Sequence, residues 1–268
     1  MISFFQYKEI LKLLMDKSFL ELNVIQWGTP ILYFGNINTA KLATLGINPS
    51  DKEFIDNSSN ILTGINRRFY TLNSLGIDNW NLLEEHHYHL IQMSFNDYFQ
   101  NNPYDLWFKK LDYIISGSSK SYYFPSFDVC HLDLVPFATN FKWSELTNIN
   151  KVALLERSQF ILKNILDLSS IEILILNGNS VVKYIEKLAN TNFEVEEKEE
   201  WYLSRNGFKT IKGIAYTGEI TKIGKEILKR KIKILGFNHN IQSSFGVSRV
   251  VQTSIRDWVS QKTRDYER

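Results

Sequence analysis

KLATLGINPS, residues 41–50, is the stretch of sequence that decides the fold. After Lys41 it is mostly apolar as far as Ile47, and Asn48, Pro49 and Ser50 then end the run with turn-forming residues. A short apolar run that stops at such a turn is typical of a strand buried on both faces of a parallel sheet. We therefore predict a core strand over residues 41–47 that leads into a polar loop.

Three more runs have the same form: FDVCHLDLV at 127–135, IEILIL at 171–176 and IKILGF at 232–237. Segments with helical periodicity accompany them at 66–75, 81–99, 104–115, 152–168, 180–188, 221–230 and 254–263. Strands that alternate with helices indicate an α/β domain. We predict three layers, α/β/α, around a central, mainly four-stranded parallel sheet.

The chain of 268 residues is long enough for one large core, and we predict a single domain over 1–268. A helical and aromatic insertion is expected around 82–124. The Asn-Gly pair at 206–207 lies between two β-prone runs, which predicts a β-hairpin around 201–218. The apolar run at 31–35 is expected to pair with the first core strand.

The charges nearly cancel, because 31 Lys and Arg residues face 29 Asp and Glu residues, for a net charge of +2. Any polyanionic partner must therefore be met by a local basic surface. The segment 222–233 is rich in lysine, and we interpret it mainly as the solvated face of a helix. The acidic run EVEEKEE at 194–200 is interpreted as a solvated loop.

Cys130 is the single cysteine, so an intrachain disulfide and a cysteine-held iron–sulfur cluster are both excluded. The first 18 residues carry charges within their apolar stretch and have the pattern of an amphipathic helix, not of a signal peptide. No apolar run approaches the roughly 20 residues of a membrane span. We expect a soluble cytoplasmic protein that needs no cofactor.

Ligands of open α/β sheets bind outside the carboxyl ends of the strands. The polar residues at those ends are therefore the candidates for function. They are Asn48, Pro49 and Ser50 after the first strand, Asp133 at the second, Asn177 and Asn179 after the third, and Asn238, His239 and Asn240 after the fourth.

Three segments carry a family resemblance: GINPS at 46–50, INRRFYTLNSLG at 65–76 and LGFNHNIQSSFGVSR at 235–249. In this order they resemble the mismatch-specific and thymine-DNA glycosylase branch of the uracil-DNA glycosylase superfamily. That branch has a GINPG-type first motif, an NRFW-type helix and a late NPSGLS-type loop. The resemblance spans most of the chain.

The resemblance implies a monomeric enzyme that flips a base out of DNA and hydrolyses its N-glycosidic bond, with no metal ion. Asn48 would position the attacking water, and His239 would stabilise the departing base. The other implied contacts to the base are Gly46, Ile47, Pro49, Asn238 and a stacking aromatic, Phe54, with Phe69 and Tyr70 as rivals. The implied DNA contacts are Ser50, Asn240, Ser243, Ser244 and a wedge formed by Ile241 or Gln242.

The sequence departs from the family at Ser50, where glycine is usual, and at residues 238–240, where Asn-Pro-Ser is usual. Asp133 lies near the position where related branches carry a base-reading asparagine. A carboxylate only accepts hydrogen bonds, so Asp133 favours the exocyclic amine of a cytosine-derived base. An equally good interpretation is a capping or buried structural aspartate. The insertion at 82–124 suggests room for a bulky modified pyrimidine, as in viral DNA, and a role in repair or defence.

Other interpretations remain open. The histidines of the run EEHHYH at 84–89 could bind a metal ion. We favour an exposed helix, because the sequence shows no second pair of metal ligands to match them. The fold is also compatible with a non-catalytic module that binds DNA or a nucleotide. A small-molecule enzyme of flavodoxin-like architecture is a third possibility, although the chain lacks a glycine-rich phosphate fingerprint.

Overall fold

A six-stranded, mostly parallel sheet flanked by helices forms the centre of this mixed α/β protein. The computed structural model describes residues 2–102, 105–205, 208–243 and 246–267. The strands are β1 (Leu42–Gly46), β2 (Val129–Asp133), β3 (Ile173–Asn177), β4 (Glu194–Arg205), β5 (Phe208–Ile223) and β6 (Glu226–Phe237). Their order across the sheet is β2-β1-β3-β6-β5-β4.

Nine helices surround the sheet in the described part of the chain. They are α1 (Phe4–Met15), α2 (Lys17–Leu20), α3 (Leu72–Leu75), α4 (Glu85–Asn96), α5 (Tyr98–Asn101), α6 (Leu106–Ile115), α7 (Asn148–Leu168), α8 (Asn179–Ala189) and α9 (Arg249–Glu267). Helices α7, α8 and α9 pack on the strands β3 to β6. The segment 82–124 contributes α4, α5 and α6, and its side chains Phe95, Tyr98, Phe99 and Phe108 are buried in the core.

All four predicted core strands are confirmed, and they lie side by side in parallel as β2, β1, β3 and β6. Every residue of β1, β2 and β3 is buried, as expected for strands covered on both faces. The register places Gly46 opposite Asp133 and Asn177 opposite Phe237. The carboxyl ends of these strands therefore meet at one edge of the sheet.

The sheet has six strands, two more than the mainly four-stranded sheet that we predicted. The acidic run at 194–200 is not a loop but the start of β4, which pairs antiparallel with β5. The pairing of β4 with β5 extends beyond the hairpin predicted at 201–218, whose turn residues Asn206 and Gly207 lie outside the described residues.

The predicted helix at 221–230 was also wrong, because this segment forms the end of β5, a turn at 224–225 and the start of the antiparallel strand β6. Gly224 adopts a φ of +61°, which suits a tight turn. Buried Leu228, Ile232 and Ile234 alternate with charged residues along β6. Two of the lysines in this run form ion pairs with the neighbouring strand. Glu219 of β5 pairs with Lys231 at 3.2 Å and with Lys233. Glu219 thus offsets part of the positive charge of this run within the sheet.

The apolar run at 31–35 does not pair with β1 as predicted. Phe34 instead forms an isolated antiparallel bridge with His131 of β2, through two backbone hydrogen bonds of 2.9 Å. The run cannot pair with β1, because β2 and β3 already occupy both edges of that strand.

Among the helices that the structure describes, none is long and apolar enough to cross a membrane.

Candidate functional site

A cavity of about 820 Å³ opens at the carboxyl ends of β1 and β2. Its wall comes from the loop after β1 (residues 48–53), from β2 and the segment that follows it (His131, Asp133 and residues 139–143 and 145), and from the start of α6 (residues 105–108). Phe34 and Arg68 complete the lining. The position at the strand ends is the one at which α/β proteins bind ligands, and the volume lies within the range of about 300–1,000 Å³ for small-molecule sites.

Asn48 points into this cavity with its amide in a fixed orientation. Its Nδ2 donates to Thr139 Oγ1 at 3.1 Å, to the Pro49 carbonyl at 3.2 Å and, more weakly, to the Phe137 carbonyl at 3.5 Å. Carbonyl oxygens only accept hydrogen bonds, so the nitrogen must be on this side. Within the described residues, Oδ1 has no hydrogen-bond partner, and it is therefore available to accept from a water or a ligand.

Asp133 and His131 line the cavity, and Gly46 of β1 lies next to them in the sheet. Asp133 is buried at the end of β2, directly across from Gly46. A Cβ atom placed on Gly46 would lie 2.4 Å from Asp133 Oδ1 and 3.0 Å from His131 Nε2. Glycine is thus needed here because two polar side chains occupy the space that a methyl group would take.

His131 is a site residue that the sequence analysis missed. Its Nε2 lies 3.5 Å from Asp133 Oδ1. The rings of Phe34, Trp107 and Phe108 surround it, with centroids 5.5, 5.4 and 5.1 Å away. A signal was present, because residues two apart on a strand point to the same face, so His131 had to accompany Asp133.

Arg68 links two buried carboxylates on another wall of the cavity. Its Nη1 lies 3.0 Å from Asp105 Oδ2 and 3.4 Å from Glu53 Oε2. The hydroxyl of Tyr98 donates to Glu53 Oε2 at 2.9 Å. Asp105 also caps α6, since its Oδ1 accepts from the backbone N–H of Trp107 at 2.9 Å. This network holds Trp107 in the cavity wall.

Burial raises the pKa of Glu53 to about 7; the positive charge of Arg68 opposes this rise, and the negative charge of Asp105 adds to it. The unfolded chain therefore releases this proton near pH 4.5, while the folded chain keeps it until about pH 7. The sign follows from linkage: the stabilisation is complete below pH 4.5 and is lost as the pH rises through 7.

We expect Glu53→Gln to flatten the dependence of stability on pH between 5 and 8. Glutamine imitates the protonated side chain, so the variant lacks the loss in free energy of unfolding that ionisation causes, which is at most about 3 kcal/mol. Urea denaturation at several pH values measures it. Glu156→Gln, at an exposed position of α7, should keep the slope of the wild type. An equal slope in wild type and Glu53→Gln would contradict the prediction.

The late loop at 238–243 lies beside the cavity without lining it in its described residues. Asn177, at the end of β3, holds this loop: its Oδ1 accepts from the backbone N–H of Ile241 at 3.0 Å, and its Nδ2 donates to Gln242 Oε1. Gln242 Nε2 approaches the Trp107 carbonyl at 3.5 Å. The loop thus reaches the start of α6, and its link to the cavity is indirect.

Two residues with predicted pocket roles are engaged elsewhere. His239 is buried, and its Nε2 lies 2.7 Å from the carbonyl of Trp201 in β4. Since a carbonyl only accepts, this nitrogen carries the proton and is occupied. Asn238 accepts from the Ile214 N–H at 2.9 Å and donates to the Lys212 carbonyl at 2.7 Å. Both side chains fasten the loop to the β4–β5 hairpin, and the structure does not bring them to Asn48.

The predicted wedge Ile241 is only 1% exposed, so it cannot enter a DNA duplex without leaving the core. Phe54 is buried against Trp27, with ring centroids 5.7 Å apart, and is not part of the cavity wall. The two alternative candidates for stacking on the base are also outside the cavity wall: Phe69 is buried, and Tyr70 stacks on Arg67. These predictions differ from the structure because the packing of the side chains could not be inferred from the sequence.

The remaining predicted residues divide between the cavity and the loop. Pro49 and Ser50 line the cavity with Asn48, and Ile47 packs partly buried against the core. Asn240 is exposed and Ser243 is half-buried on the late loop, outside the cavity wall. Ser244 lies outside the described residues.

No protein-family model matches the chain, and no curated protein does. The resemblance to the uracil-DNA glycosylase superfamily therefore stays a prediction based on the three quoted motifs.

In residues 2–102, 105–205, 208–243 and 246–267, no group of three or more His, Cys, Asp or Glu side chains is arranged to hold a metal ion. The histidines of the EEHHYH run lie on α4, where the exposed ring of His86 contacts the ring of His87 at 3.8 Å and Glu84 at 3.3 Å.

Proposed function

We propose that the protein is a DNA glycosylase that hydrolyses the N-glycosidic bond of a flipped pyrimidine, in repair or in defence against foreign DNA. The observation that carries the proposal is the amide of Asn48, held in one orientation at the mouth of a cavity large enough for a base with an added substituent. The predicted three-layer arrangement and the predicted monomer are part of this proposal.

The chemistry required is modest and suits these residues. A base inside a duplex is out of reach, so it has to be flipped out, at a cost of a few kcal/mol. Cleavage builds positive charge on the sugar and negative charge on the departing base. Asn48 Oδ1 accepts a hydrogen bond from the attacking water and holds it in place, although an amide is a poor base. The buried side chains of Asp133 and Asp105 line the cavity, and negative charge there favours a cationic sugar.

The departing base needs a partner other than His239, because the ring of His239 is held at Trp201. Three cationic side chains are found in the cavity wall, namely Lys52, Arg68 and Lys142. We assign the stabilisation of the leaving base to Lys142, because Arg68 is paired with Asp105 and Glu53 and Lys52 donates to the Asp56 carbonyl. Asp133 faces the same space and, as an acceptor, favours a base with an exocyclic amine, so the proposed substrate is cytosine-derived.

The experiment is to incubate the purified protein with DNA that carries a panel of natural and modified pyrimidines and to identify released bases by mass spectrometry. The expected result is release of a cytosine derivative and poor release of uracil. The Asn48→Ala protein, purified in the same way, controls for contaminating glycosylase. DNA binding with no base release from any substrate would favour the non-catalytic module instead.

An apolar rim at the cavity mouth supplies a wedge in place of Ile241. We define the rim as Leu106, Trp107 and Phe141, which line the cavity and are also exposed. Minor-groove enzymes insert apolar side chains of this kind between bases and stabilise the distorted duplex. Leu106, at the start of α6 and 79% exposed, is the member of the rim with the largest exposed fraction.

We expect Leu106→Ala to slow base release from duplex DNA about tenfold and to leave release from single-stranded DNA unchanged, because only the duplex needs the gap to be filled. Single-turnover rates on both substrates measure the effect. Ile227→Ala, at a position 78% exposed near the start of β6, is the matched control. Equal slowing on both kinds of DNA would show that Leu106 contacts the base and is not a wedge.

A further inference from the structure

A line of buried hydrogen bonds lies behind Asp133. Thr44 of β1 stands next to His131 of β2 in the sheet register, and Thr44 Oγ1 lies 2.6 Å from His131 Nδ1. Thr44 Oγ1 also bonds the hydroxyl of Tyr122. On its other side, His131 presents Nε2 to Asp133 Oδ1 at 3.5 Å. Tyr122, Thr44 and His131 are all buried, and none of them was a candidate from the sequence.

The direction of the protons along this line follows from the donors and acceptors available. Burial raises the pKa of Tyr122 well above its ordinary value, so its hydroxyl keeps its proton. In the described chain, Thr44 is the one hydrogen-bond partner of that hydroxyl, and a buried hydroxyl without an acceptor is costly. Tyr122 therefore donates to Thr44 Oγ1.

Thr44 has one proton of its own, and its remaining partner is His131 Nδ1. Thr44 accordingly donates to Nδ1, which makes Nδ1 the acceptor nitrogen of a neutral imidazole. The proton of His131 is then on Nε2 and faces Asp133. The reverse direction would give the Tyr122 proton no acceptor, which is why we reject it. Catalytic hydrogen bonds are often long in a site without its ligand, so a separation of 3.5 Å is compatible with a contact that shortens on binding.

We propose that Tyr122, Thr44 and His131 are positioning residues that hold Asp133 as an acceptor for the exocyclic amino group of the substrate base. The inference rests on the proposed function for the identity of the ligand. When this contact shortens on binding, the His131 N–H engages Asp133 Oδ1 and leaves the second carboxylate oxygen for the base. A cytosine-type amine donates to that oxygen, whereas the carbonyl at the same place in uracil repels it.

The position of the proton is tested without any activity measurement. In the full-length protein labelled with ¹⁵N-histidine, long-range ¹H–¹⁵N spectra distinguish the two tautomers, and His131→Gln assigns the signal. The expected result is a protonated Nε2 and an unprotonated Nδ1 at His131. A protonated Nδ1 would overturn the proposal, whatever the enzyme does to DNA.

The positioning role is tested by the ratio of kcat/KM for a cytosine-type base to that for uracil in matched DNA. We expect Thr44→Val, which removes the hydroxyl at nearly constant volume, to lower this ratio about tenfold, and Thr44→Ser to restore it. If Thr44→Val does not fold, the same ratio is measured for Tyr122→Phe, which leaves the Thr44 hydroxyl in place. This variant should also lower the ratio. An unchanged ratio in an active variant would overturn the positioning role.

The two tests separate this inference from the function on which it rests. If the wild type releases no base but His131 shows the expected tautomer, the hydrogen-bond line stands, and the glycosylase and the amino-group ligand both fall. If the wild type releases bases but the tautomer is the opposite one, the glycosylase stands and the line falls.

Discussion

Asn48→Ala should lower the rate of base release by at least about 100-fold, because the variant loses the acceptor that positions the attacking water. Its affinity for substrate DNA should stay within about twofold of the wild type, since contacts to the phosphate backbone dominate binding. The variant also loses the hydrogen bond to Thr139, which is worth about 1 kcal/mol of stability and is too little to account for such a drop in rate.

Single-turnover kinetics with saturating enzyme isolate the chemical step, and fluorescence anisotropy gives the affinity. Asn81→Ala, at an exposed asparagine that does not line the cavity, is the matched control and should behave as the wild type. Full activity of Asn48→Ala would remove the proposed mechanism. A parallel loss of binding and rate would instead assign Asn48 to DNA recognition.

Gly46→Ala should have the second-largest effect, because the added methyl group would lie 2.4 Å from Asp133 Oδ1 and 3.0 Å from His131 Nε2. Neither neighbour can yield easily, since both are buried side chains on the same strand. We expect overpacking to cost about 1–3 kcal/mol of stability. The displaced carboxylate should also lower base release roughly 30-fold through a misplaced substrate.

Gly76→Ala provides the control for Gly46→Ala. A Cβ atom on Gly76 meets nothing within 4 Å, but φ there is +69°, so the substitution strains the backbone without touching the cavity. It should lower the melting temperature and leave the rate of base release at 25 °C unchanged. Wild-type activity of Gly46→Ala would show that Asp133 and His131 are not needed where they lie.

Some residues of the cavity could be predicted from the sequence, and others could not. The turn at 48–50 and Asp133 could be predicted because each follows directly from a core strand, and parallel strands end at a common edge. Arg68 and Trp107 could not, as their roles depend on contacts that only the folded chain makes, such as that of Arg68 with Asp105. The late loop shows the converse. Its polar sequence, read alone, suggested a binding loop, whereas Asn177 engages the side chain of Gln242 and the Trp201 carbonyl engages that of His239.

By itself, the sequence determined the four parallel core strands and their polar ends, because apolar runs and turn residues are local signals whose meaning does not depend on distant contacts. Only the tertiary structure decided that β4, β5 and β6 form a meander, that Ile241 is core and Leu106 is rim, and that Tyr122 stands behind His131. The physical reason is that edge pairing, burial and the choice of hydrogen-bond partner are set by which segments meet in space. A polar or apolar side chain has the same local sequence signature whether it meets solvent, a ligand or another part of the chain.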